Sequence, residues 1–308
     1  SFRKPCVGLL LFSWLAYMRP QNLCWGFARE MRFSFYVALT MFVGWYVHES
    51  HKRPFFTRDI RAYLLLILAV FITLGLVISP RWGPLTTRYY VEFVKIILIA
   101  LFTLSQVDSK QRLRVLMWVI CGSFAFYSVK NGLMGFVTGG ATILRGPGGM
   151  LEDNNDFALA MVMNIPLLWY LGISEGKKWV LHATRVAVFL SVVTVLMTHS
   201  RGAFLALSFS ALWIVWRSGK LFRAMMFIVF LAVLFPFVVP QEILDRIVSI
   251  SDTNESSASA RLTAWATALE MIKGNPIWGV GMRNFQPRYP EYSVVPLSQG
   301  SDTFVAHN

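Results

Sequence analysis

Thr198-His199-Ser200-Arg201-Gly202-Ala203 joins two apolar stretches with almost no loop between them. Ser200 is placed to cap a helix starting near Gly202, so Arg201 sits beside that helix's exposed N–H groups and positive dipole end. Such an end already favours anions, and a guanidinium adds bidentate geometry for phosphate. An arginine snorkelling to lipid headgroups fits the same position. Arg261 is the second candidate. Ala258 to Lys273 reads as a helix stopped by Gly274-Asn275-Pro276, with Leu262, Trp265, Leu269 and Ile272 as its apolar face. Arg261 falls in the first turn, one turn before Trp265, where a charge is either solvated or part of an anion site. His307, within Ala306-His307-Asn308, is a natural general base near neutral pH, although a lone histidine also serves structural ends.

Two clusters add charge. Arg88, Glu92 and Lys95 follow one another at spacings of four and three, on one face of an apolar stretch. They form either a structural ion-pair set or a functional group, because ionisable residues at membrane depth are costly to keep. The segment from Gly139 to Asp156 carries Arg145, the run Gly146-Pro147-Gly148-Gly149, and Glu152, Asp153 and Asp156. Paired carboxylates could serve acid–base or metal chemistry. Asp153 to Asp156 equally caps the helix that follows, and this is the preferred reading because no metal-ligand spacing is present. Cys6, Cys24 and Cys121 match no metal motif and read as small core residues. Gly279-Val280-Gly281 lacks the third glycine and preceding strand of a dinucleotide fingerprint and reads as a tight turn.

The elements that must position these residues follow from composition. The chain has 308 residues, 56% hydrophobic and 15% charged, with mean hydropathy +0.53. Soluble domains carry about a quarter charged residues, so the solvent here is a bilayer. Nine apolar stretches run at about Pro5–Tyr17, Phe33–Val47, Tyr63–Ile78, Tyr89–Leu104, Leu113–Val129, Phe157–Ile173, Val180–Thr198, Gly202–Trp216 and Leu221–Val239. Lipid offers the backbone no hydrogen bonds, so each stretch must be a helix. The expected fold is all-α, a polytopic membrane bundle over residues 1–239. Residues 240–308 would begin a large loop, and the abrupt ends of the sequence read as those of a piece of a longer chain. Gly202–Trp216 is short for a bilayer and could start a turn earlier or thin the membrane.

The net charge of +13 sits in the connections, so it reads as a topology signal and not as a nucleic-acid surface. One alternating set of connections holds fifteen Lys and Arg, among them Arg53, Lys110 and Arg112; the other holds eight: Arg19, Arg29, Arg32, Arg81, Arg88, Lys130, Arg145 and Arg201. The richer set marks the cytoplasm, with the N-terminus inside and the loop after Val239 outside. The eight stand against the bias and need another reason to be there.

Ser200-Arg201-Gly202-Ala203, Arg261-Leu262-Thr263-Ala264-Trp265, Gly279-Val280-Gly281 with Phe285, and Ala306-His307-Asn308 occur in an order that resembles the O-antigen ligase and polymerase superfamily. Leu15-Ala16-Tyr17-Met18-Arg19-Pro20, Lys130-Asn131-Gly132 and Glu152-Asp153-Asn154-Asn155-Asp156-Phe157 look like its exosortase-associated putative O-glycosylation ligases. The resemblance spans essentially the whole sequence. It implies an inner-membrane glycosyltransferase with about a dozen spans and a large periplasmic loop, acting without metal or nucleotide cofactor. Such an enzyme takes a glycan from undecaprenyl pyrophosphate to a protein or lipid acceptor. It further implies that Arg201 and Arg261 bind the pyrophosphate and that His307 orients or deprotonates the attacking hydroxyl, with Arg88, Lys95 and Arg145 as additional substrate contacts. A polymerase of the same superfamily and a lipid-linked glycan flippase are the alternatives. The lack of an internal repeat, and charges held mostly at membrane edges, weigh against the flippase.

Overall fold

The computed structural model describes residues 2–78, 83–138, 143, 145–149, 151–217, 219 and 256–294. Eight of the nine expected spans fall there, and each is a helix. They are α1 (Pro5–Met18), α3 (Phe33–His48), α4 (Ile60–Ile78), α5 (Pro84–Gln106), α6 (Lys110–Val137), α7 (Asn154–Ser174), α8 (Lys178–Met197) and α9 (Arg201–Arg217). A single-turn helix α2 (Phe27–Glu30) follows a 3-10 turn at Pro20–Leu23. The ninth expected span, Leu221–Val239, lies outside the described residues. Five helices, α4 to α8, are long and apolar enough to cross a membrane, and α1, α3 and α9 are shorter apolar helices. The chain is thus a polytopic helical membrane protein. Side chains such as Ile67, Val70 and Val77 on α4 stand exposed, which in water would be an untenable apolar surface. In lipid they are simply the outer face.

Three of these helices differ from expectation in a way that matters. The α6 helix runs eight residues past Val129, to Val137, so Lys130 and Asn131 lie on a helix and not in a connection. Polar residues and glycines ended the apolar pattern there, but glycine in a membrane helix marks a packing position more than a stop. The α9 helix starts at Arg201 and, at 17 residues, remains short. The α10 helix (Ser256–Gly274) starts two residues before Ala258, which puts Arg261 in its second turn and weakens any dipole argument for it.

The chain divides into two compact units. One comprises Ser1–Pro54 with Gln106–Ile228, and the other Phe55–Ser105 with Val229–Asn308. In the first, α6, α7 and α8 pack through small and hydroxylated residues. A Cβ at Gly132 would fall 2.7 Å from the Leu190 carbonyl oxygen, so only glycine allows α6 this close to α8. Thr194 Oγ1 donates to the Ser128 carbonyl at 2.8 Å, and Asn164 Nδ2 to the Cys121 carbonyl at 3.2 Å. Lipid tails give helices no hydrophobic reason to associate, so close backbone approach and buried polar bonds of this kind must do it. Tyr127, Phe157, Met161, Val162, Val195 and Leu207 fill the space between α6, α7, α8 and α9.

In the second unit, Ala62 on α4 packs with Ile97 and Leu101 on α5, and Thr73 Oγ1 lies 2.8 Å from the Tyr90 hydroxyl. The α10 helix stops at Gly274 as expected, and Gly279 and Gly281 take positive φ in the turn that follows. Trp278 stacks on Phe71 at 5.3 Å, and the Arg283 guanidinium lies 3.6 Å over the Tyr89 ring. The turn before α11 (Phe285–Tyr292) is thereby seated on α4 and α5. Ala264, Thr267 and Met271 are buried, whereas the apolar stripe Leu262, Trp265, Leu269 and Ile272 is exposed, so α10 packs by the opposite face.

Replacing Gly132 with Val should destabilise the folded protein by about 2 kcal/mol through overpacking against the α8 backbone. Gly122→Ala, where the added methyl group meets open space, should leave stability unchanged or slightly raised. Thermal unfolding in detergent distinguishes the two.

Candidate functional site

At one end of the first unit, α1, α6 and α8 finish and α7 and α9 begin. The chain leaves α1 through Arg19, whose φ of 48° is a left-handed conformation uncommon for a residue with a Cβ. Opposite it stands an antiparallel hairpin, β1 (Arg145–Gly148) and β2 (Leu151–Asp153), in the segment the sequence presents as a loop. Glycine and proline are poor strand formers, so other contacts must hold this ladder in place. Asn22 Nδ2 donates to the Pro147 carbonyl, and the Arg19 guanidinium lies against Gly149. A Cβ at Gly146 would fall 1.8 Å from the Leu151 carbonyl oxygen, so the two strands need glycine there.

The other side of the hairpin is tied to the turn between α8 and α9. Ile143 N donates to the Met197 carbonyl at 3.0 Å and Asn154 Nδ2 to the Thr198 carbonyl at 3.2 Å. Ser200 Oγ donates to Asn155 Oδ1 at 2.7 Å and accepts from Ala203 N at 3.3 Å, so it caps α9 as its sequence position suggests. Asp153 likewise caps α7, accepting from Asn155 N at 2.8 Å. One short segment, residues 153–155, therefore starts α7 and anchors the start of α9.

Between the hairpin, the end of α6 and the α1–α2 connection lies an open cavity of about 490 Å³. Arg29, Lys130, Arg145 and Glu152 line it with Asn22, Asn131 and the backbone of Gly146–Gly148, and buried Tyr127 closes one wall. The Tyr127 hydroxyl donates to the Met18 carbonyl, which fixes the ring. None of the four charged side chains forms an ion pair among the described residues. The opposite end of the unit is different. Arg53 reaches Asp108 at 2.9 Å and Glu49 at 3.6 Å, and Arg112 reaches Asp108 at 3.3 Å. Three cations against one carboxylate, left unneutralised in a concave site, make a positive potential that draws anions. Among the described residues, no three His, Cys, Asp or Glu side chains gather where they could hold a metal ion.

The residues singled out from sequence are distributed as follows. Arg145 is on β1 and lines the cavity. Arg201 is the first residue of α9, and its place is set by the Ser200 cap; its side chain lies outside the description. Arg261 belongs to the second unit and is exposed on α10. Arg88 is exposed on α5 of the same unit, where Lys95 pairs with Glu92 at 2.9 Å. His307 lies outside the described residues. Asn22 and Tyr127 were not singled out, Arg29 was noted for its charge alone, Asn131 for its motif alone, and Lys130 for both. The available signal was topological: Arg29, Lys130 and Arg145 all belong to the eight cations standing against the charge bias.

Residues 186–308 match the family described as O-Antigen ligase, and residues 1–176 match a family of unknown function, DUF5935. No curated protein and no solved structure matches the chain.

Ser200→Ala should loosen the start of α9 and the Asn155 contact together, lowering stability by about 1 kcal/mol. Asn155→Ala should add little on top of it, because both changes break the same contact. A double-mutant cycle on thermal unfolding checks this.

Proposed function

Because the chain belongs to the O-antigen ligase superfamily and, over residues 1–176, to the family DUF5935, we propose that it transfers a glycan from undecaprenyl pyrophosphate to an acceptor hydroxyl on protein. The coarser part of this stands on the match itself: it is a multi-pass membrane protein of O-antigen ligase-like, glycosyl-transferring function. The finer part is supported chiefly by one observation. Arg201 opens α9 beside a hairpin and an unneutralised basic cavity, all at the same end of one unit.

In this reaction the acceptor oxygen attacks the anomeric carbon of the donor. The bond from that carbon to the pyrophosphate oxygen breaks, and the electron pair leaves with undecaprenyl pyrophosphate. His307 takes the proton of the attacking hydroxyl, a role suited to an imidazole near neutral pH. Arg201 and Arg261 hold the pyrophosphate and stabilise the charge that grows on it as the bond breaks. The α9 N-terminus contributes backbone N–H groups and its dipole at the same place. Arg88, Lys95 and Arg145 contribute further donor contacts. The pyrophosphate is already an activated leaving group, so the reaction calls for neither metal nor nucleotide. In this reading the site end faces the periplasm, the N-terminus is cytoplasmic and the membrane is the bacterial inner membrane.

Full-length protein in detergent, given undecaprenyl-pyrophosphate-linked glycan and a protein acceptor without added metal or nucleotide, should release undecaprenyl pyrophosphate. Arg201→Ala and His307→Ala should each fold normally and lose roughly a hundredfold or more in rate. Wild-type turnover by a well-folded Arg201→Ala protein would sink the pyrophosphate clamp. Release only with a glycan acceptor would make it a polymerase, and binding without release under any acceptor would favour a flippase.

A further inference from the structure

We propose that the cavity bounded by Arg29, Lys130, Arg145 and Glu152 is a glycan subsite that selects an anionic sugar, one bearing a carboxylate or a phosphate. This rests on the glycosyl-transfer reading for the origin of the sugar, but the geometry carries the chemistry. Three cations without ion-pair partners among the described residues are available to a ligand, and their excess over Glu152 sets its sign. A site built for diphosphate alone would gain nothing from a carboxylate facing the same space, since Glu152 would repel it. A sugar uses that carboxylate as a hydroxyl acceptor, while Asn131 offers both an acceptor oxygen and donor N–H groups. Tyr127, buried and tied to the Met18 carbonyl, gives the cavity a fixed floor. About 490 Å³ lies within the usual range for small-ligand pockets and holds roughly one or two sugar residues.

The site is also preorganised. Lys130 stands two residues before Gly132, where α6 is pressed against α8, and Arg145 stands on a strand clamped from both sides. Charges on rigid elements discriminate better than charges on loops, because little ordering is required when the ligand arrives.

The test uses the full-length protein in detergent, with cellobiouronic acid, neutral cellobiose and inorganic pyrophosphate as probes in saturation-transfer NMR and calorimetry. The acidic disaccharide should bind about tenfold more tightly than cellobiose. Lys130→Gln and, separately, the exposed Arg29→Gln should erase that preference. Glu152→Gln should tighten pyrophosphate more than the acidic disaccharide, since the amide oxygen still accepts a sugar hydroxyl and the more highly charged probe gains most from the lost repulsion. Equal binding of the two disaccharides would overturn the proposal. So would pyrophosphate that outcompetes the acidic disaccharide at Lys130 and Arg145, which would make this the seat of the donor diphosphate. In transfer assays, Lys130→Gln should raise KM about tenfold for an acidic-glycan donor, leave kcat unchanged, and leave a neutral-glycan donor unaffected. Absence of any transfer would remove the parent reading alone, and the binding arm would still decide this one.

Discussion

The contact between Gly132 and the Leu190 carbonyl sets the spacing from which the rest of the first unit follows. With no side chain between them, α6 and α8 lie close enough for Thr194 to reach the Ser128 carbonyl and for α7 to pack into the groove beside them. That packing decides where the helix ends stand. The end of α6 presents Tyr127, Lys130 and Asn131, and the end of α8 presents Met197 and Thr198. The hairpin is laid across these fixed points, held by Ile143, Asn154 and Asn22 and hardly by its own Gly- and Pro-rich ladder. Its shape is borrowed from the bundle.

Charge is used in two ways along the same helices. At one end of the first unit, Arg53 and Arg112 share Asp108, and Glu49 adds a weaker contact. Those arginines have carboxylate partners and reinforce the connections. At the other end, Arg29, Lys130 and Arg145 line a cavity in which Glu152 is the one carboxylate among the described residues. Leaving like charges together costs stability, and proteins tolerate such costs mainly where a ligand relieves them. Composition cannot separate these two groups of cations. Their partners do.

Much of the fold was legible because its causes are local. Apolar runs report the spans, Ser200 and Asp153 report helix starts, and Gly274 and Gly279 report a stop and a turn. The cavity was not legible, because its walls come from residues far apart in the chain. Asn22 meets Pro147 across 125 positions, and Tyr127 meets Met18 across 109. Lys130 was misread as part of a connection since hydropathy falls at that point, although the helix continues through Gly132 and Gly135. Arg145 was found for its charge, but its strand was hidden by residues that argue against strands. Arg29 needed only a question the topology already raised: why a cation should stand on the less basic side.

The length of α6 bears on how a substrate arrives. Its 28 residues span about 42 Å, against a hydrocarbon core of about 30 Å. Counted from its basic start at Lys110, one hydrocarbon thickness along the axis is reached near Lys130, before the last turns of the helix. In the proposed orientation, with Lys110 at the cytoplasmic edge, the cavity mouth stands level with the membrane surface. A lipid-linked molecule held by its tail already travels in that plane, so encounter becomes a two-dimensional search. In that reading the bilayer, more than the protein, sets the depth at which the sugar is presented.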